Sequence, residues 1–195
     1  MKKRSAGRWA WLTALFLLPG TALAQPGQAL GGRIAACAGC HGEGGNSQTP
    51  GIPSIAGQPR IFLENHLVLA REGVRGTEVM HNVMRGVTDK EIIAIAKHFA
   101  ALPARAAPGE IDRALAKRGR QLAGKLRCGV CHLKDFSGQN QIQRLAGQRE
   151  EYLVSVMLAF RDKPPPGADT QMSAVLYGVS DADIRALAHY LARLK

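Results

Sequence analysis

Cys37-Ala38-Gly39-Cys40-His41 and Cys128-Gly129-Val130-Cys131-His132 are two copies of one pentapeptide, set about one small domain apart. A two-residue gap lets both thiols add to the vinyl groups of a haem as thioethers, and the histidine that follows at once is placed to ligate the iron. The two motifs use all 4 cysteines of the 195-residue chain, leaving no thiol for a disulfide, a redox switch or a nucleophile. A zinc site and a redox Cys-x-x-Cys pair are the competing readings. Recurrence of the full motif in similar surroundings favours two covalently bound haem c groups, on Cys37 and Cys40 and on Cys128 and Cys131, with His41 and His132 as axial iron ligands.

Outward from these motifs the chain repeats itself. Ile55-Ala56-Gly57-Gln58 in the first half answers Leu145-Ala146-Gly147-Gln148 in the second. Helix-like stretches follow over 60–71 and 150–161, and a second loop then leads to a terminal helix in each half. Thr88-Asp89-Lys90-Glu91 is a capping box, and Ser180-Asp181-Ala182-Asp183 is a near version of it. Behind them Ile92, Ile95, Ala96, Phe99 and Ile184, Leu187, Ala188, Leu191 occupy one helical face, in register. The pattern predicts an all-α chain, with residues 25–102 and 110–195 as its halves and 103–109 as a Pro- and Gly-containing linker. Halves this small bury a modest core, so each haem is expected to serve as core as well as cofactor.

The repeat also proposes the sixth ligands. Met80 falls opposite Met172 when the terminal helices are aligned, with Gly86 opposite Gly178 and Asp89 opposite Asp181. Met84 aligns with Leu176 and Met157 with Leu67, which suits core filling. Met84 stays a competitor for the first iron because it shares a loop with Met80. His81, the neighbour of Met80, is the one credible histidine rival; neither it nor His66, His98 and His189 has a histidine counterpart in the other half. His98 and His189 read as ordinary helix positions. Two His/Met irons would have both axial positions filled and comparatively high potentials, which points to outer-sphere electron transfer rather than oxygen or peroxide chemistry.

The N-terminal segment reads as an address. Lys2, Lys3, Arg4 and Arg8 form a basic region, Trp9 to Leu18 an apolar one, and Ala22-Leu23-Ala24 a cleavage site, so residues 1–24 are expected to be a cleaved signal peptide. An uncleaved anchor is the alternative, but the apolar run is short of the roughly 20 residues a span requires. Export implies a periplasmic protein. Cleavage would leave 22 basic against 15 acidic residues, a net +7. Arg113, Lys117, Arg118, Arg120, Lys125 and Arg127 concentrate that charge before the second motif, which suits an acidic protein face. Nucleic acid is not expected as a partner, and any membrane association would be peripheral.

With these features the chain resembles the dihaem class I cytochromes c, and the cytochrome c4 group in particular. The resemblance rests on the duplicated Cys-x-x-Cys-His, the two Ala-Gly-Gln segments, the paired methionines and the two Asp-containing terminal helices. It implies two tandem cytochrome c domains, each wrapped around one covalently attached haem and packed about a pseudo-twofold. It also implies a non-enzymatic carrier with redox proteins as donor and acceptor, delivering electrons toward a terminal oxidase. A cytochrome subunit of a periplasmic oxidoreductase, such as a flavocytochrome sulfide dehydrogenase or an alcohol dehydrogenase, is the alternative. A dihaem peroxidase is the third reading, and the paired methionines speak against it. Three departures stand out. Pro53 occupies the place where such domains hold the proximal histidine through a carbonyl, whereas the second half has Gln143. Leu133 replaces the glycine that follows His41. Finally, Lys163-Pro164-Pro165-Pro166-Gly167 reads either as a stiff loop brace or as a docking edge.

Overall fold

The structure is a computed structural model that describes residues 26–195. The expected signal peptide, 1–24, lies outside the described residues. All regular structure among them is helical, as the periodicity predicts. The first half contains α1 (Pro26–His41), a 3₁₀ turn over Glu43–Gly45, α2 (Arg60–Arg71), α3 (Glu78–Met84) and α4 (Asp89–Ala100). The second contains α5 (Arg113–Lys125), α6 (Gly129–His132), α7 (Glu150–Asp162), α8 (Thr170–Leu176) and α9 (Asp181–Ala192).

Local chemistry sets the helix ends. The Thr88–Glu91 capping box closes at both bonds, and Ser180 accepts from the Asp183 N–H; each cap is worth about 1 kcal/mol. The terminal helices bury the faces expected of them: Ile92, Ile95, Ala96 and Phe99 in α4, and Ile184, Leu187, Ala188 and Leu191 in α9. Each fully buried side chain of this size contributes about 1.5–3 kcal/mol. Leu63 and Ala70 of α2 complete one core, while Leu153, Met157 and Phe160 of α7 complete the other.

Two stretches differ from expectation. Met80 and Met84 lie on the helix α3 rather than a loop, and Met172 lies on its counterpart α8. Thr77 and Asp169 start these helices by accepting from the N–H groups of Met80 and Gln171, but seven residues are too few for periodicity to register. His189, an ordinary helix position by sequence, lies within α9 as a bonded side chain. It is buried, accepts from the Asp112 N–H at 3.0 Å through Nε2, and meets Glu150 at 3.1 Å.

The segment joining the halves is pinned to both. Arg105 donates its N–H to the Asn46 side chain at 2.8 Å, and Ala107 donates to the Ala192 carbonyl at 3.0 Å. The proline-rich loop touches the first half, where the Pro166 carbonyl accepts from Arg75 at 3.3 Å.

Candidate functional site

α1 ends in the first motif. Cys37 and Cys40 stand one turn apart, His41 closes the helix, and the thiols are free. In the second half the equivalent helix is broken. α5 stops at Leu126, Arg127 turns left-handed (φ 57), and α6 then carries Cys131 and His132. The Cys128 N–H reaches the Ala123 carbonyl and the Arg127 N–H the Gly124 carbonyl, a Schellman closure with arginine where glycine is usual.

Both histidines are buried, at 8% and 4% exposure, and both are oriented in one way. His41 Nδ1 bonds the Pro53 carbonyl at 2.7 Å, and His132 Nδ1 bonds the Gln143 carbonyl at 2.9 Å. Each ring therefore holds its proton on Nδ1 and leaves Nε2 as the bare nitrogen, the tautomer that a metal ligand requires. Burial lowers the pKa of both rings, and the carbonyl bonds only partly oppose it. Burial likewise raises the Cys37 and Cys128 thiols. Gln143 thus supplies its backbone carbonyl where Pro53 does, so the second histidine has the same acceptor without the proline.

Met80 and Met172 are both the third residue of a seven-residue helix, and both are half-buried beside the core of their half. Met84 and Leu176 end those helices and are sealed in the core, at 1% and 2% exposure. His81 points to the Arg75 carbonyl, 3.2 Å away. Among the described residues no three His, Cys, Asp or Glu side chains converge as a metal shell.

A haem fits each half on these observations. Two free thiols, a tautomer-fixed imidazole and an uncommitted thioether recur at equivalent positions. Leu30, Ile34, Leu67 and Val68 in one half, and Leu122, Leu126, Val154 and Leu158 in the other, are apolar side chains left half-exposed at the core edge. A flat apolar macrocycle would complete that burial. Arg149, 5% exposed, keeps Nε and Nη1 without a protein acceptor, donors of the kind that carboxylates on such a macrocycle would satisfy.

The residues that sequence reasoning missed lie between the halves. Gln58 and Gln148, each 4% exposed, cross to the opposite half. Gln148 accepts from the Ser54 N–H at 2.7 Å and donates to the Ser54 carbonyl at 2.8 Å. Gln58 accepts from the Arg144 N–H at 2.9 Å and donates to the Arg144 carbonyl at 3.0 Å. The matched Ala-Gly-Gln segments were the available signal, but sequence gives no partner for a repeated glutamine.

Comparison with known proteins agrees with this geometry. The cytochrome c family model matches twice, over residues 24–102 and 116–195. Cytochrome c4 of Stutzerimonas stutzeri is 31% identical over 191 residues, covering 88% of this chain and 89% of that protein. A thiosulfate dehydrogenase electron acceptor of Thiomonas intermedia is 30% identical over 196 residues, covering 94% and 88%. The crystal structure of reduced recombinant cytochrome c4 from Pseudomonas stutzeri superposes with a TM-score of 0.78 at 30% identity, covering 86% of this chain and 98% of that one. With two matched motifs on two matched helical cores, the chain belongs to the cytochrome c family, as a dihaem, cytochrome c4-like electron-transfer protein with two covalently bound haem c groups.

Proposed function

We propose that this protein carries single electrons in the periplasm between respiratory components, toward a terminal oxidase. Residues 1–24 would be the cleaved signal, 25–102 and 110–195 the two haem domains, and 103–109 the linker. Cys37, Cys40, Cys128 and Cys131 hold the haems covalently, with His41 and Met80 as axial ligands in one half and His132 and Met172 in the other. The observation that carries this reading is the equivalence of the two constellations, down to a methionine at the third position of each short helix. When bound, each haem supplies an iron that stores one electron. The chain's own residues would do the rest: the backbone carbonyls of Pro53 and Gln143 fix the imidazoles, the Met80 and Met172 side chains would supply the second protein ligand to each iron, and the cores would keep water away.

Arg113, Lys117, Arg118, Arg120, Lys125 and Arg127 are all exposed along α5 and its end, and Arg118 alone of them is engaged by an acid, Asp183 at 2.7 Å. This strip suits an acidic docking face on an oxidase. Reduction of such an oxidase should slow as salt rises, because exposed charges are screened over about 8 Å at physiological ionic strength. A rate indifferent to salt would contradict charge-steered docking. A second reading is favoured by the relative described as an electron acceptor of thiosulfate dehydrogenase: service to one periplasmic oxidoreductase, as its acceptor or bound cytochrome subunit. A stoichiometric catalytic partner in the purified material would support that reading, and an isolated cytochrome the shuttle.

A further inference from the structure

We infer that Gln58 and Gln148 are positioning residues that tune the proximal histidine of the opposite domain. The carbonyl that accepts from His41 and the N–H that donates to Gln148 belong to one peptide group, Pro53–Ser54. The carbonyl that accepts from His132 and the N–H that donates to Gln58 belong to another, Gln143–Arg144. Each imidazole is therefore joined through a single peptide to a glutamine of the other half. All four partners are shielded from water: Gln58 and Gln148 are each 4% exposed, and the two histidines 8% and 4%.

A peptide whose N–H is engaged becomes a stronger acceptor at its carbonyl, because hydrogen bonds in series polarise one another, by about 10–30% per bond. A stronger acceptor draws the Nδ1 proton further from the ring and makes the imidazole a better donor to a metal. The better donor favours ferric iron, so each glutamine would hold down the potential of the haem in the opposite half. The two relays are unequal. The first has bonds of 2.7 and 2.7 Å, and the second 2.9 and 2.9 Å. Gln148 Oε1 also accepts from the Arg149 N–H at 2.9 Å, which shares the oxygen between two donors, so the ranking rests on the shorter bonds of the first relay. Loss of Gln148 should therefore have the larger effect.

The inference rests on His41 and His132 being the iron ligands, and the test separates the two claims. In the reduced, haem-loaded protein, the Nδ1–H resonances of both histidines should be displaced by the porphyrin ring current. Their absence from the parent spectrum would overturn the ligand assignment before any variant is compared. In Gln148→Met the His41 resonance should shift, and the ferrous-to-ferric ratio of the first haem at fixed potential should rise about twofold, the order set by weakening one neutral hydrogen bond. Gln58→Met should do the same, more weakly, to His132 and the second haem. Arg75→Lys serves as the control. It keeps the charge, loosens the Arg75–Pro166 contact of the same interface, and should leave both resonances in place. Effects confined to the variant's own domain, equal effects on both haems, parental behaviour in both variants, or an Arg75→Lys spectrum like that of Gln148→Met would each overturn it.

Discussion

The two halves place left-handed residues at two equivalent points after their histidines, with different side chains at each. The first half uses glycines: Gly42 at φ 82 and ψ 162 directly after His41, and Gly45 at φ 77. The second holds Leu133 at φ 67 and ψ 162 and Phe136 at φ 59 in the same places. All four non-glycine residues with positive φ among the described residues, Arg127, Leu133, Phe136 and Asn140, fall in this stretch of the second half. Gly45 and Phe136 do one job, each offering its carbonyl to two N–H groups of the following Ala-Gly-Gln segment, at 2.8 and 3.0 Å and at 2.9 and 3.1 Å. A Cβ at Gly45 would lie 2.8 Å from the Phe99 ring. In the second half the aromatic volume moves to the loop: Phe136 packs edge-on against Tyr190, and the counterpart of Phe99 is the smaller Leu191. The loop geometry is thus imposed by the need to bring a carbonyl to the histidine, and local backbone preference yields where it must.

The comparison breaks most sharply at Gly42. A side chain there would run into the Asn46 carbonyl, so Gly42→Ala should cost the first half about 2–3 kcal/mol, read as a lower denaturant midpoint of the haem-loaded protein. Leu133→Ala, at the equivalent place, should change stability far less. Equal losses would mean that contact with the Asn46 carbonyl is not what demands glycine at Gly42.

A smaller effect should follow from His66, which the second half lacks. Burial, reinforced by the Arg75 guanidinium 3.4 Å away and only partly opposed by the Phe62 carbonyl, lowers its pKa to about 4. An unfolded chain therefore takes up this proton first. The stability the neutral ring contributes is full above about 6.5 and is lost as pH falls from there toward 4. His66→Asn should flatten the stability profile of the first half across that window, measured by denaturation at a series of pH values. An unchanged slope would show that His66 is not held neutral.

The smallest change sharpens the same contrast. Leu133 occupies a region of backbone space that only glycine enters freely, at a cost of about 1–3 kcal/mol. Leu133→Gly should relieve part of it, about 1 kcal/mol after the entropy glycine adds to the unfolded chain. Destabilisation instead would mean that the leucine side chain contributes more than its backbone costs.

Much of this was legible in the sequence because the repeat supplied two independent copies of each signal. The cysteine motifs, the faces of α4 and α9 and the pairing of Met80 with Met172 all follow from register. The missed features share a physical cause: they depend on what another segment brings near. Helices α3 and α8 are only seven residues long and are started by single caps at Thr77 and Asp169. His189 reads as an ordinary helix position until Asp112 and Glu150 close over it. The second half was expected to have an unusual histidine environment because Gln143 replaces Pro53. Its acceptor is a backbone carbonyl as in the first half, and the departure lies at Leu133, the other replacement the sequence shows, held at φ 67. The crossing of Gln58 and Gln148 was invisible because another segment brings each partner near.

The claim that each half holds a His/Met iron is tested most directly by redox titration of the purified protein under optical and magnetic spectroscopy, repeated on Met80→His and Met172→His. Two one-electron steps are expected in the parent, both with the methionine-to-iron absorption. Each variant should keep its covalent haem, lose that absorption at one haem, and lower that haem's potential, since imidazole favours ferric iron more than a thioether does. A single titrating haem, an absorption that survives in both variants, or its loss only when Met84 is replaced would contradict the account.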